Sequence, residues 1–380
     1  MLAILLIAIR RRRMKDDMDE AEDDLEMTSF AKRHGQRIMV EPSDAWISSY
    51  AASVVASPWS SRLTSQSSSD SDALPSIWRD PVILAVRLPF EKIRFRKIIS
   101  RGGFGEVLDG LYHDQRVAIK RLLPENRKKL PCLNAFLREV QLLSTFDHER
   151  IVGFVGVAWD SPQDLCILLE FMGNGDLRNI LSDWKRRERP RGFDTRKLAI
   201  ALHIAEGLTY LHTLLPKVIH RDLKSKNVLV NSDWEAKLSD FGASREESSR
   251  DTMTSNVGTS LWIAPEVMVA NNYNEKADVY SFGVVLTELD THELPFHHVT
   301  TPDGGRVPGA AIIHMGAMGT IRAEFSAACR EDLATLGRSC LAFDAAARPT
   351  AGELRYRIRE MLRAEQATLS CNSRGSYDFT

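Results

Sequence analysis

The sequence carries almost no net charge: 50 lysines and arginines face 51 aspartates and glutamates, a formal balance of -1. A nucleic-acid partner calls for a clearly basic face, so that ligand class is excluded. Cysteine is scarce as well. Five thiols (Cys132, Cys166, Cys329, Cys340, Cys371) stand apart with no C-x-x-C pair. Such a set excludes a zinc site and a disulfide frame, and predicts reduced thiols in the cytoplasm. There is no internal repeat. The one run that is wholly apolar at the N-terminus, MLAILLIAI (Met1 to Ile9), is nine residues long and ends in Arg10–Arg13. A secretory signal places its positive charge ahead of the apolar run, so this order excludes one. Nine residues are also too few to span a bilayer, which needs about 20. Residues 1–13 do match the cytoplasmic end of a transmembrane helix. Two readings stand level: membrane association through the N-terminus in a longer chain, on the cytoplasmic side, or a frayed hydrophobic start.

What is present falls into zones. Residues 14–89 hold an acidic run, KDDMDEAEDDLE, and a serine-rich stretch, SSRLTSQSSSDSD, with seven serines in thirteen residues. Such a segment cannot offset its chain entropy and is expected to be a disordered juxtamembrane linker. From about Phe90 the texture changes. KIRFRKII, EVLDGLY and RVAIKRL read as strands broken by glycine or charged turns, and LCILLEF as a buried strand. AFLREVQLLSTF (Ala135 to Phe146) sets Phe136, Val140, Leu143 and Phe146 at helical spacing. Glu139 falls on that same buried face, where a carboxylate is costly unless paired. Beyond this the chain turns helical: RKLAIALHIAEGLTYLH, the nearly all-apolar DVYSFGVVLTEL, and TAGELRYRIREML, which opens with Thr350 and Glu353 in capping-box spacing. A small β-rich half followed by a larger helical half predicts a ligand crevice between them. The stretch 300–325 carries no readable pattern.

The glycine-rich ISRGGFGEV (residues 99–107) is ambiguous alone, because a turn between strands is often glycine-rich. The decisive stretches are VIHRDLKSKNVLV (Val218 to Val230) and KLSDFG (Lys237 to Gly242). His220-Arg221-Asp222, Asn227, Asp240-Phe241-Gly242, Val117-Ala118-Ile119-Lys120, Glu139, Ala264-Pro265-Glu266, Asp278 and Arg348 follow in one order. Together they resemble the eukaryotic protein-kinase catalytic core over residues 90–363, with 364–380 as a tail. DLKSKN, GTSLWIAPE, DVYSFGVVL and AARPT are most similar to the tyrosine-kinase-like branch of Ser/Thr kinases.

The resemblance implies an α+β, bilobal protein-kinase fold, with a small β-rich N-lobe holding one helix and a larger, mainly helical C-lobe. It implies ATP and Mg²⁺ as cofactors and protein substrates as partners. Asp222 and Lys224 are the expected catalytic pair, and Asn227 and Asp240 the expected metal ligands. Lys120, paired by Glu139, would hold the α- and β-phosphates. Ile99, Ser100, Gly102, Gly105, Val107 and Ala118 would wrap the nucleotide, with Leu169 at the back of the adenine pocket and the backbone of Glu170 to Met172 at its edge. Ser100 stands where the first glycine of G-x-G-x-x-G is usual, so ATP binding is expected to weaken modestly. His220 and Phe241 are expected to pack beneath the site, and Glu266 with Arg348 to form a buried ion pair. A phosphate on Thr252, Thr254 or Ser255 is expected to pair with Arg221. A pseudokinase scaffold, a dual-specificity kinase and the intracellular part of a receptor remain as alternatives.

Overall fold

The computed structural model describes residues 76–103, 105–246, 260–270, 274–305 and 307–374. The acidic and serine-rich segments, the apolar N-terminus and the hydroxyls at 252, 254 and 255 lie outside the described residues. Contacts divide the chain after Ala85. In the first unit, a 3-10 turn at Ser76–Arg79 leads to a short helix, α1 (Pro81–Ala85), whose entry is closed by Asp80 Oδ1 accepting from the Val82 amide at 2.7 Å.

In the second unit the β-rich half is one antiparallel sheet of β1 (Ile93–Arg101), β2 (Gly105–Tyr112), β3 (Gln115–Leu122), β4 (Phe154–Ala158) and β5 (Cys166–Glu170), ordered β1-β2-β3-β5-β4. Ile93, Leu108, Val117, Ile119, Ala158, Cys166 and Leu168 form its core. Residues 86–88 add a short parallel stretch along β4. The Leu88 amide donates to the Val157 carbonyl at 2.8 Å, and the Val157 amide to the Val86 carbonyl at 3.0 Å. Gly156 makes this approach feasible, since a Cβ there would stand 2.6 Å from the Leu88 side chain.

Helix α2 (Leu130–Leu143) begins five residues before the Ala135 read from spacing and ends three before Phe146. Pro131 starts it, because the first turn needs no amide donor. It stops where the Ser144 and Thr145 hydroxyls fold back onto the carbonyls of Gln141 and Leu142, each at 2.7 Å. Phe146 stays buried beyond the helix, its ring 4.9 Å from that of Phe241.

The second half is helical apart from short strand pairs. Strand β6 (Gly175–Asp176) leads into α3 (Leu177–Arg186), capped by Asp176, and then α4 (Thr195–Thr213), capped by Asp194. Strands β7 (Val218–Ile219), β8 (Val228–Val230), β9 (Ala236–Leu238) and β10 (Arg245–Glu246) frame the next segment, with β8 between β6 and β9 and β7 against β10. After the one-and-a-half-turn α5 (Pro265–Ala270) comes α6 (Glu275–Thr291), buried from Ala277 to Thr291. Its apolar sequence places it at the centre of the lobe. Helices α7 (Gly309–Ala317) and α8 (Glu331–Cys340) follow, and α9 (Ala351–Arg374) opens on the capping box, with the Thr350 amide donating to Glu353 Oε2 at 2.7 Å. The architecture is α+β in two lobes, as the resemblance implied.

Candidate active site

Three acidic and basic groups far apart in sequence meet where the lobes face each other. Lys120, on β3, donates to Glu139 Oε1 of α2 at 2.6 Å and to Asp240 Oδ1 at 2.8 Å. The buried Glu139 is thus paired, which resolves the conflict in its helix. Burial opposes the charge on Lys120, but the two carboxylates outweigh it and push the ammonium pKa up. Burial pushes the Glu139 carboxyl up, against the pull of Lys120. The Lys120 ammonium beside it holds the Asp240 carboxyl down at about 2. Asp240 sits in the left-handed region at φ 62°, so its side chain is aimed by a constrained backbone, and 48% of it stays exposed.

A second cluster lies on the segment between β7 and β8. Lys224 Nζ reaches both carboxylate oxygens of Asp222, at 3.0 and 2.8 Å. Asn227 Nδ2 donates to the Asp222 carbonyl at 2.7 Å and to Oδ2 at 2.9 Å, so its amide oxygen is turned away from Asp222. Asp278 of α6 clamps the backbone ahead of Asp222: its oxygens accept the amides of His220 at 2.8 Å and Arg221 at 2.9 Å, with Arg221 at φ 67°. Burial works against ionisation of Asp278, but His212 at 2.9 Å and the facing amide keep its carboxyl low. The two clusters are tied together through Ser239, whose amide and hydroxyl both donate to the Asn227 carbonyl at 2.9 Å. His220 and Phe241 are buried with ring centroids 5.1 Å apart, a packing floor rather than part of the cleft.

In the glycine-rich loop, Ser100 is held opposite Val107 and Arg101 opposite Glu106, and the Gly102 amide closes the turn on the Gly105 carbonyl at 2.8 Å. Gly105 must be glycine, because a Cβ would stand 2.8 Å from the Arg121 carbonyl. Val107 faces Lys120 in register, Ala118 faces Leu169, and Ile99 is exposed. The Glu170 side chain does not face the cleft: it takes Lys237 at 2.8 Å on both oxygens and the Gly153 amide at 3.0 Å, leaving only its backbone for a ligand. Met172 is buried beside it.

Three parts of the site went unread in the sequence. Glu106, 2% exposed, gathers Arg101 at 3.0 Å, Arg121 at 2.8 Å and Arg127 at 3.3 Å, fastening the loop to β3 and to the approach to α2. Glu288, in α6, accepts from Arg178, Ser225 and Trp262, each at 2.8 Å. Lys237 is the third. The expected Arg348–Glu266 pair is bidentate, with both bonds at 2.7 Å.

The family described as Protein kinase domain matches residues 93–357. The chain belongs to that family. It falls in the tyrosine-kinase-like branch. It is 39% identical over 220 residues to the probable serine/threonine-protein kinase drkD of Dictyostelium discoideum, covering 56% of this chain and 16% of that one. With serine/threonine-protein kinase STY17 of Arabidopsis thaliana it shares 33% over 276 residues, 73% of this chain and 46% of that one. With serine/threonine-protein kinase TNNI3K of Mus musculus it shares 35% over 252 residues, 60% and 30% of the two chains. The chain thus spans less than half the length of each of these relatives. A protein kinase domain implies use of ATP with a divalent metal.

Proposed function

We propose that this chain transfers the γ-phosphoryl group of ATP to serine and threonine hydroxyls of protein substrates. The single observation that carries the reading is the convergence of Lys120, Glu139 and Asp240 beside Asp222, Lys224 and Asn227. Phosphoryl transfer asks for alignment and for cations around a spreading negative charge, and this is what the two clusters offer. An Asp222 carboxylate oxygen accepts the hydroxyl proton as the substrate oxygen bonds to the γ-phosphorus and the bond to the bridging oxygen breaks, releasing ADP. Lys224, already on Asp222, meets the moving phosphoryl group, and Lys120 holds the α- and β-phosphates. Ile99, Ser100, Gly102, Gly105, Val107 and Ala118 cover the nucleotide, and the backbone of Glu170 to Met172 takes the adenine edge.

The donor set fits a hard divalent cation. Asp240 stays ionised across working pH, and the Asn227 amide oxygen is freed by the commitment of its nitrogen to Asp222. These two residues would hold Mg²⁺, which neutralises phosphate charge when bound. Free thiols at Cys132, Cys166, Cys329 and Cys340 support action in a reducing, cytoplasmic compartment. Among the described residues no helix is long and apolar enough to cross a membrane. Membrane association through residues 1–13 in a longer chain is part of the proposal and rests on sequence alone.

A pseudokinase scaffold is disfavoured because no phosphate- or metal-facing group is missing. The test is transfer of labelled γ-phosphate by the purified full chain to a generic protein, with mapping of the modified residues. Asp222→Ala is expected to keep the fold and ATP binding while losing transfer. Undiminished transfer by Asp222→Ala beside an active wild type overturns the assignment, and labelled tyrosine assigns dual specificity instead.

A further inference from the structure

The helical lobe carries a second cavity, outside the cleft, that the reaction does not use. It is an open groove of about 570 Å³ against α3, the start of α4 and the β8–β9 turn, and Asn174, two residues past Met172, is among its lining residues. That volume suits a few side chains of a bound ligand. Its wall is a row of stacked planes. Trp184 and Trp234 lie nearly parallel, 22° apart with centroids at 5.9 Å. The Arg189 guanidinium covers Trp184 and the Arg196 guanidinium covers Trp234, each at 4.1 Å. Arg187 completes three cations, and Asp183 is the one carboxylate in the lining. Arg187 is bonded to Asp183 and Arg189 to Asp194, whereas Arg196 has no carboxylate within ion-pair distance among the described residues. A guanidinium stacked by its face keeps its N–H fork in the plane, aimed outward, in the geometry that takes a carboxylate with two bonds.

Trp234 supplies an independent observation. It sits at φ 66° in a tight turn where Asn231 Oδ1 accepts the amides of Asp233 and Glu235 at 3.0 and 2.9 Å. A left-handed backbone is uncommon for a large side chain, and the Asn231 turn holds Trp234 in it. Glycine would suit the turn; tryptophan suits the wall.

We propose that this groove docks a short acidic segment of a protein substrate, with a carboxylate on the exposed Arg196 and neighbouring apolar atoms on the half-buried Trp234, which the buried Trp184 supports from behind. With Arg187 and Arg189 already neutralised by Asp183 and Asp194, Arg196 is the uncompensated charge of the wall, and it selects an anionic occupant. As substrate docking the proposal rests on the kinase reading, but binding is measured without transfer, so the two fail separately.

The test is fluorescence polarisation of the full chain with a labelled peptide of alternating Glu and Ala and with its Gln twin. The Glu peptide is expected to saturate, weakening as salt is raised, and the Gln twin to bind at least about tenfold more weakly. Arg196→Ala and Trp234→Gly are each expected to weaken the Glu peptide by about tenfold, while Arg196→Ala leaves transfer to a short substrate without acidic residues unchanged. Fusing the acidic segment to that substrate should lower KM, and Arg196→Ala should reverse this with kcat unaltered. Equal binding of the two peptides, no saturation up to about 1 mM, or insensitivity to Arg196→Ala overturns the proposal. Competition by inorganic phosphate as strong as by the peptide marks a bare anion site, and preference for single-stranded RNA marks a stacking site for bases; either also overturns it.

Discussion

Replacing Glu139 by glutamine separates the charge of the carboxylate from its shape. Glu139 is 5% exposed and holds Lys120 at 2.6 Å, while Asp240 holds the same ammonium at 2.8 Å. Glutamine keeps an acceptor of the same reach, so packing on α2 is preserved and no cavity opens. What is lost is the ionic part of one bond, at most the ~1.5–3 kcal/mol that a whole hydrogen bond to a charged group contributes. With one counter-charge gone, Lys120 leans to Asp240 and away from the position that meets the α- and β-phosphates. The expected result is a fall in kcat/KM for transfer of about ten- to a hundredfold, since each 1.4 kcal/mol is a factor of ten. Global stability should fall little or rise, because burial already pushes this carboxyl toward its neutral form. The assay is steady-state transfer with saturating protein substrate and varied ATP, beside urea unfolding of the same preparations. Wild-type kcat/KM in a stably folded Glu139→Gln would refute the idea that this pairing positions Lys120.

Three further outcomes are expected. Ser100→Gly should change ATP affinity by less than about tenfold, measured by titration, because Ser100 is held in strand register opposite Val107 and its small side chain asks little of the loop; a larger change would refute this reading of the loop. Arg348→Ala should lose about 3–5 kcal/mol of unfolding free energy, as it strands Glu266 and the carbonyls of Ala342, Lys276 and Phe343; a loss under about 1 kcal/mol would contradict a structural role. Burial lowers the His203 imidazole to about 4, while its Nδ1 accepts the Ala236 amide. The unfolded chain takes up that proton near pH 6.5 and the folded chain only near 4, so stability falls as pH drops through this window, by up to about 3 kcal/mol. His203→Asn should flatten that part of the curve, and an unchanged slope in urea unfolding would exclude His203 as its source.

The strands and the main helices were legible because their apolar periodicity is local. So was the misfit of Glu139, since a carboxylate on a buried helical face announces an absent partner. The bounds of α2 were not, because its end is set by the Ser144 and Thr145 hydroxyls rather than by the apolar stripe that continues to Phe146. The loop, Lys120, Asp222 and Asp240 were found through order along the chain. Glu106 and Glu288 were missed for the opposite reason. The partners of Glu288, Arg178 and Ser225, lie 110 and 63 residues away; those of Glu106, Arg101, Arg121 and Arg127, lie 5, 15 and 21 away but converge only once the β1–β2 and β2–β3 registers are set. The small-residue sequence of α7, GAAIIHMGA, offers no stripe that would have distinguished it from a loop.

The stretch 86–88 along β4 bears on how this sheet meets other molecules. A sheet ends in two rows of unsatisfied amides and carbonyls, and either row can recruit a stray strand. At one border, β1 presents the exposed Arg94, Arg96, Lys97 and Arg101, charged side chains that a stray strand would have to desolvate. At the other, Val157 has already given its amide to Val86 and its carbonyl to Leu88. A chain trimmed to begin at residue 90 would keep every group of the cleft and still bare that second border. Such a piece would be complete as a catalyst and sticky as a particle, with β4 open to the β4 of its neighbour.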